Sequence, residues 1–189
     1  MTKRELRKLY IAKREALSDK DYLEYNEQIC DTFFQSVDLS QVKHLHIFLP
    51  MIRKREVDTM MIIDRLQEAY PLIKIAVPRM KSNSELESYY YEGPSQLMIN
   101  SWGIQEPKEG ELVDPTHIDV TIVPLLAFDL QGQRVGYGKG YYDDFLAQCR
   151  ADCRKIGVSM FDPERKIEDA SLSDVQLDQV ITTRSVFDF

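Results

Sequence analysis

Apolar positions recur every three or four residues through 2–17, where Leu6, Leu9, Tyr10, Lys13 and Leu17 share one stripe, and this spacing predicts an amphipathic helix. Ser18 is placed to cap a second helix, with Asp21 three residues on in capping-box position. Tyr22, Asn26, Ile29, Phe33 and Val37 supply its inward face. A short apolar strand over 44–49 stops at Pro50. A helix over 59–70 follows, capped by Asp58 and rich in Met60, Met61, Ile63 and Leu66. A strand over 73–77 is closed by Pro78. Further strands are predicted over 85–91, 119–123, 155–159 and 179–183, and a helix over 141–149. The passage 93–115, around Trp102, reads as loop. Strands alternating with helices imply an α/β fold with a mostly parallel sheet and right-handed crossovers.

Between the strand over 119–123 and the helix that follows lies the chain's most informative segment. Residues 128–143 place Gly132, Gly136, Gly138 and Gly140 among Arg134, Lys139, Tyr141, Tyr142 and Asp143. Glycine lets the backbone curl so that successive N–H groups converge on one anion, and a lysine in the curl adds a compact charge. The helix behind it would point its positive end the same way. The segment is neither common glycine motif. A P-loop needs four residues between its first Gly and Gly-Lys, followed by Ser or Thr. Here five separate Gly132 from Gly138, and Lys139 precedes Gly140. The dinucleotide fingerprint fails because Tyr141 stands where its third glycine would fall. A nucleotide phosphate site is the expectation, against the plainer alternative of a flexible turn.

Composition narrows the partners. The 189 residues are 43% hydrophobic, enough for a real core, and a single domain over 1–189 is the default. A net charge of −7 argues against a nucleic-acid protein, whose affinity rests on neutralising phosphates. Basic residues cluster locally all the same. Lys3, Arg7 and Arg14 fall within ~40° of each other at ~100° per residue, beside the buried stripe of the first helix. Such a row can look into a cleft or form a solvated face. Three sparse cysteines and three histidines suggest neither a disulfide framework nor a zinc site, and suit a reducing cytoplasm. No apolar run is long enough for a bilayer and no signal peptide is expected, so the chain reads as cytoplasmic, without membrane contact, and as a monomer.

In open α/β sheets ligands lie beyond the carboxyl ends of the strands. The exits of the strands over 44–49, 73–77 and 119–123 carry Glu56, Arg79 and the glycine segment, and one cleft could gather all three. Asp143 sits best for Mg²⁺, which takes one or two carboxylates with phosphate oxygens and water. Asp129, Asp144, Asp174 and Asp178 are further candidates.

Several ordered blocks resemble one family, the 5-formyltetrahydrofolate cyclo-ligases, also named 5,10-methenyltetrahydrofolate synthetases. They are Lys3-x-x-x-Arg7 with Lys13-Arg14, Ile47-Phe48-Leu49, Glu56-Val57-Asp58-Thr59, Val77-Pro78-Arg79, and Trp102-Gly103-Ile104 with Pro107. Most specific is Gly132-x-Arg134-x-Gly136-x-Gly138-x-Gly140-Tyr141-Tyr142-Asp143, followed by Asp174-x-x-x-Asp178-x-Val180-Ile181-Thr182. The resemblance implies a Rossmann-like three-layer fold and ATP- and Mg²⁺-dependent cyclisation of 5-formyltetrahydrofolate to 5,10-methenyltetrahydrofolate, releasing ADP and phosphate through an iminophosphate. It implies ATP contacts at Lys3, Arg7, Arg134, Gly136, Tyr137, Gly138, Lys139, Gly140 and Tyr141. Folate contacts fall on Leu49, Glu56, Trp102 and Tyr142, catalytic roles on Lys139, Arg134 and Tyr142, and metal contacts on Asp143 and Asp174. Residues 51–55 look about two residues longer and more basic than the family pattern, and Ser173 stands where a histidine is common. Arg53, Lys54 and Arg55 could attract the folate glutamate tail or form a solvated edge. Competing readings are a non-catalytic folate- or nucleotide-binding regulator, and a sugar-phosphate enzyme on a related scaffold.

Overall fold

A computed structural model of the chain describes residues 1–81, 85–101, 103–171 and 173–189. Two helices open it, α1 Lys3–Glu15 and α2 Asp19–Ser36. Thr2 and Glu5 close a complete capping box on α1. On α2, Ser18 accepts from Asp21 N–H at 3.0 Å as expected, but the Asp21 carboxylate takes the Ser18 hydroxyl at 2.7 Å rather than its N–H. Aspartate is a methylene shorter than the glutamate that completes such a box.

The sheet is built from β1 His44–Ile47, β2 Lys74–Met80, β3 Leu86–Tyr90, β6 Val120–Val123, β9 Arg154–Val158, β10 Gln179–Ile181 and β11 Val186–Asp188, in the order β11-β10-β9-β6-β1-β2-β3. The five central strands run parallel, and the edge strands β3 and β11 are antiparallel. Helix α3 Met60–Ala69 makes the β1–β2 crossover. Asp58 Oδ1 accepts from Met60 N–H at 3.2 Å, but the helix starts one residue later than expected, with Thr59 rather than Asp58 at its cap position.

Strand alternation sorts the two layers. Leu45, Ile47, Ile75, Val77, Val120, Ile122, Ile156 and Val158 pack with Ile29, Phe33, Ile63 and Leu66 of α2 and α3. On the other face Ala76, Val123 and Val180 meet Phe145 and Leu146 of α4 Tyr141–Leu146. Helix α1 lies against a small hairpin, β7 Ala127–Phe128 with β8 Arg134–Val135, through Leu6, Tyr10, Leu126 and Val135.

Several expectations need correction. β2 does not stop at Pro78 but continues to Met80. Its pairing with β1 ends at Ala76, so Pro78 has only β3 beside it and its missing N–H costs no bond to β1. The passage 93–115 holds a hairpin, β4 Leu97–Ile99 with β5 Gln105–Pro107, in which Pro107 again sits in a two-stranded setting. Helix α4 covers only six residues of the expected 141–149. The terminal strand β11 was not foreseen, since three residues are too few to show an alternation.

Candidate active site

The carboxyl ends of β1, β2 and β6 open onto one cavity of ≈ 720 Å³. Phe48, Leu49 and Met80 give it an apolar lining, and Glu56, Lys3 and Arg7 of α1 and the glycine loop 136–140 line it as well. α1 brings its basic row there because Leu6 and Tyr10 bury the neighbouring stripe, leaving Lys3 and Arg7 on the border.

The loop's shape is set by two glycines in the left-handed region, Gly138 at φ +87° and Gly140 at φ +79°. Arg7 Nε donates to Gly136 O at 2.8 Å and clamps the loop onto α1. A Cβ at residue 138 would stand 3.0 Å from Arg7 Cζ. Gly138→Ala is therefore expected to cost about 1–2 kcal/mol from backbone strain and to loosen that clamp, lowering the melting temperature. An unchanged melting temperature would refute this. Lys139 lies exposed at the tip, lines the cavity, and has no hydrogen-bond or ion-pair partner among the described residues.

Other predicted cations are already committed. Arg134, buried on β8, donates to Asp143 Oδ1 at 2.8 Å and to the Val175 carbonyl. Lys3 pairs with Asp174, which also accepts from Ser171 N–H at 2.6 Å. Burial pushes the Asp174 carboxyl up, but the Lys3 hydrogen bond and charge and the Ser171 N–H outweigh it and hold it below the usual range. Each expected metal acid is thus paired with an expected phosphate-binding cation. Among the described residues no three His, Cys, Asp or Glu side chains cluster as a metal cage. Two carboxylates lining the cavity, Asp143 and Asp174, fit a Mg²⁺ that would arrive on phosphate oxygens rather than one held by protein alone.

Glu56 is 3% exposed. Burial pushes its carboxyl above the usual range, opposed by Met51 N–H at 2.7 Å, the Arg14 charge and a Tyr137 hydrogen bond. Arg14 Nη1 donates to the Tyr137 hydroxyl at 3.1 Å and Nη2 to the Leu125 carbonyl at 2.5 Å. Arg14 and Tyr137 therefore tether Glu56, and Tyr137 has its hydroxyl engaged there although its ring lines the cavity. Of the basic run, Arg53 is exposed and Arg55 pairs with Asp19 at 2.6 Å. Lys54 lies 4.9 Å above the Tyr137 ring and lines the cavity.

Some candidates lie elsewhere. Arg79 donates to the Lys108 carbonyl at 2.8 Å and is not part of the cavity wall, because successive residues of β2 face opposite sides and Pro78 and Met80 take the inward positions. Asp129 is 1% exposed and holds the β7–β8 turn by accepting from the Gln131, Gln133 and Ile167 N–H groups. Asp178 binds Lys155. Asp144 is exposed and is not part of the cavity wall. Trp102 lies outside the described residues, though Ile104 and Glu106 nearby line the cavity.

A chain of polar groups beneath the cavity was not foreseen. The Tyr142 hydroxyl lies 3.2 Å from His46 Nε2, and His46 Nδ1 lies 2.8 Å from Ser88 Oγ. The signal was there: a histidine inside the apolar run of β1 must find partners when buried. Burial pushes the His46 imidazole down to about 3. An unfolded imidazole near 6.5 then binds more protons than the native one between those values, so stability rises with pH across that window and is flat above it. This group should cost about 2 kcal/mol at pH 5 relative to pH 8. His46→Gln should flatten the slope of unfolding free energy in that range, and an unchanged slope would count against it.

Comparison with known proteins matches residues 1–183 to the 5-formyltetrahydrofolate cyclo-ligase family. The chain belongs to that family. It is accordingly an enzyme of the ligase class. It is 28% identical over 204 residues to a probable 5-formyltetrahydrofolate cyclo-ligase of Schizosaccharomyces pombe, covering 98% of this chain and 97% of the relative. With the 5-formyltetrahydrofolate cyclo-ligase of Escherichia coli K12 it shares 30% over 136 residues, 71% of this chain and 74% of the relative. The solved 5,10-methenyltetrahydrofolate synthetase of Aquifex aeolicus superposes with a TM-score of 0.84 at 30% identity, covering 100% of this chain and 93% of that one. That of Mycoplasma pneumoniae gives 0.79 at 26%, covering 97% and 100%. The α/β fold expected from the alternation of strands and helices is the fold of the family.

Proposed function

We propose that this chain, as one domain over 1–189, converts 5-formyltetrahydrofolate to 5,10-methenyltetrahydrofolate at the expense of ATP. The observation that carries the reading is one cavity lined together by Lys139 on a glycine loop, without a partner among the described residues, by the buried Glu56 and by apolar side chains. A phosphate tail suits the first, and a flat heterocycle with N–H donors suits the second. A buried carboxylate lining an apolar cavity selects a ring that offers it hydrogens, because the Met51 N–H and Tyr137 leave further lone pairs of Glu56 to satisfy.

The formamide oxygen of the substrate is a poor leaving group. Transfer of the γ-phosphoryl group to that oxygen forms an O–P bond and releases ADP, leaving an iminophosphate. N10 then attacks the activated carbon. The C–O bond breaks, phosphate leaves, and the N10 proton is lost. Phosphoryl transfer needs alignment and charge neutralisation more than a protein nucleophile. Lys139 and the loop N–H groups supply these directly, while Arg7 holds the loop's curvature and Arg134 holds Asp143. Asp143 and Asp174 are the residues that would hold Mg²⁺ carried by the nucleotide, which would neutralise charge on its phosphate oxygens. Leu49 and Tyr142 flank the slot, and Lys3 holds Asp174 at its rim.

Purified protein given 5-formyltetrahydrofolate should develop the methenyl absorbance and release ADP only when ATP is present. Absorbance without ATP, or none with it, would reject the proposal.

A further inference from the structure

Of the basic row on α1, Lys3 and Arg7 line the cavity and Arg14 does not. Arg14 is 4% exposed, and among the described residues no acid pairs with it directly. The Leu125 carbonyl takes its Nη2, the Tyr137 hydroxyl takes its Nη1, and its Nε has no partner among the described residues. A guanidinium buried this deeply is costly unless a negative charge lies close by. The negative charge it acts on is Glu56, reached across the Tyr137 hydroxyl.

We propose that Arg14 is a positioning residue: through Tyr137 it holds Glu56 as a carboxylate with a fixed pair of donors, leaving its remaining lone pairs for a ligand in the cavity. The direction follows from the groups themselves. A guanidinium only donates, so the Tyr137 oxygen accepts from Arg14 and its single hydrogen goes to Glu56. Met51 N–H donates to Glu56 Oε2 at 2.7 Å. These two donors fill half of the roughly four acceptor sites of a carboxylate. A neutral Glu56 would reverse the contact and give its own hydrogen to Tyr137. The Tyr137 hydrogen would then need a new acceptor, and Arg14 would be buried without a counter-charge.

Charged and titratable groups reach Glu56 from every element around it. Arg14 comes from α1, Lys54 from the turn Ile52–Lys54 and Tyr137 from the glycine loop, and all three favour the carboxylate. Tyr22 of α2 donates to the Glu56 carbonyl at 2.7 Å, and Tyr142 of α4 stands within reach of the carboxylate's charge. Burial opposes the three. With the Arg14 charge gone, burial is less opposed and Glu56 takes up a proton at higher pH. The inference rests on the reading of Glu56 as a folate contact, and adds that a residue outside the cavity sets what Glu56 can accept.

Two measurements test it. In protein labelled with ¹³C-glutamate, the Glu56 carboxyl resonance, identified by its loss in Glu56→Gln, is followed from about pH 4 to 9. Arg14→Met should raise its midpoint by about one unit, Tyr137→Phe should move it the same way, and Arg14→Lys should move it less than Arg14→Met. An unmoved midpoint in folded Arg14→Met overturns the proposal. In kinetics, the acid limb of kcat/KM for 5-formyltetrahydrofolate should shift with that midpoint. Arg14→Met is then slower by ~10-fold on the acid side and converges with the parent as pH rises, with little change in KM for ATP. A loss equal at every pH would mean a merely structural role and also overturns it. A midpoint that moves while the kinetic limb stays would instead overturn Glu56 as the folate contact and leave the charge control standing. Should Arg14→Met not fold, Tyr137→Phe carries both measurements, and no shift in either would sink the relay.

Discussion

Lys139→Ala is expected to lower turnover by ~10²-fold or more, the scale of one aligned electrostatic contact to a developing charge. It should do so without moving the unfolding transition. The two halves of this expectation come from one observation. Lys139 is exposed and without a partner among the described residues, so the folded protein loses nothing when its ammonium goes. The charge is useful only when an anion fills the loop. Steady-state kinetics together with a thermal melt check it. Wild-type turnover in the variant would remove Lys139 from the mechanism, and a lowered melting temperature would show that it has a structural partner.

Asp143→Ala should lose as much activity, ~10²-fold or more, but it should also destabilise. Its carboxylate accepts from Arg134 and from Val175 N–H at 3.1 Å, tying α4 to β8 and to the segment that carries Asp174. The Arg134 side chain is 5% exposed and that of Asp143 34%. Removing the acid strands a buried guanidinium. The expected loss is about 2 kcal/mol, below the 3–5 kcal/mol of a fully buried pair, because water reaches the acid and screens it. Chemical denaturation measures this directly. A variant as stable as the parent would mean that Arg134 finds another acceptor.

The contrast between these two residues shows where sequence reasoning reached and where it ended. Both stand in the same glycine-rich block, four residues apart, and both were legible as candidates from type and spacing. Nothing in the block says that one is free and the other is spoken for. That depends on Val175 arriving from elsewhere and on the fold turning Arg134 back onto Asp143. Arg79 is the converse case. Its place after a strand made it a site candidate, but β2 runs on through Pro78 and turns Arg79 outward. Arg14 was visible as one of a basic row, whereas its tether through Tyr137 to Glu56 joins residues far apart in the chain.

Period-two and period-3.6 patterns alone determined the alternating strands and helices, the parallel sheet and the helix caps, because these depend on neighbours within a turn or a pleat. Glycine content likewise marked the curled loop that lines the cavity, since a left-handed backbone is a local demand. The tertiary structure alone decided which charges are neutralised, which acid is buried, and how Ser88, His46 and Tyr142 line up. Those properties depend on the distance between atoms and on how much water is removed, and both are set only when strands β1 and β3 and helix α4 come together.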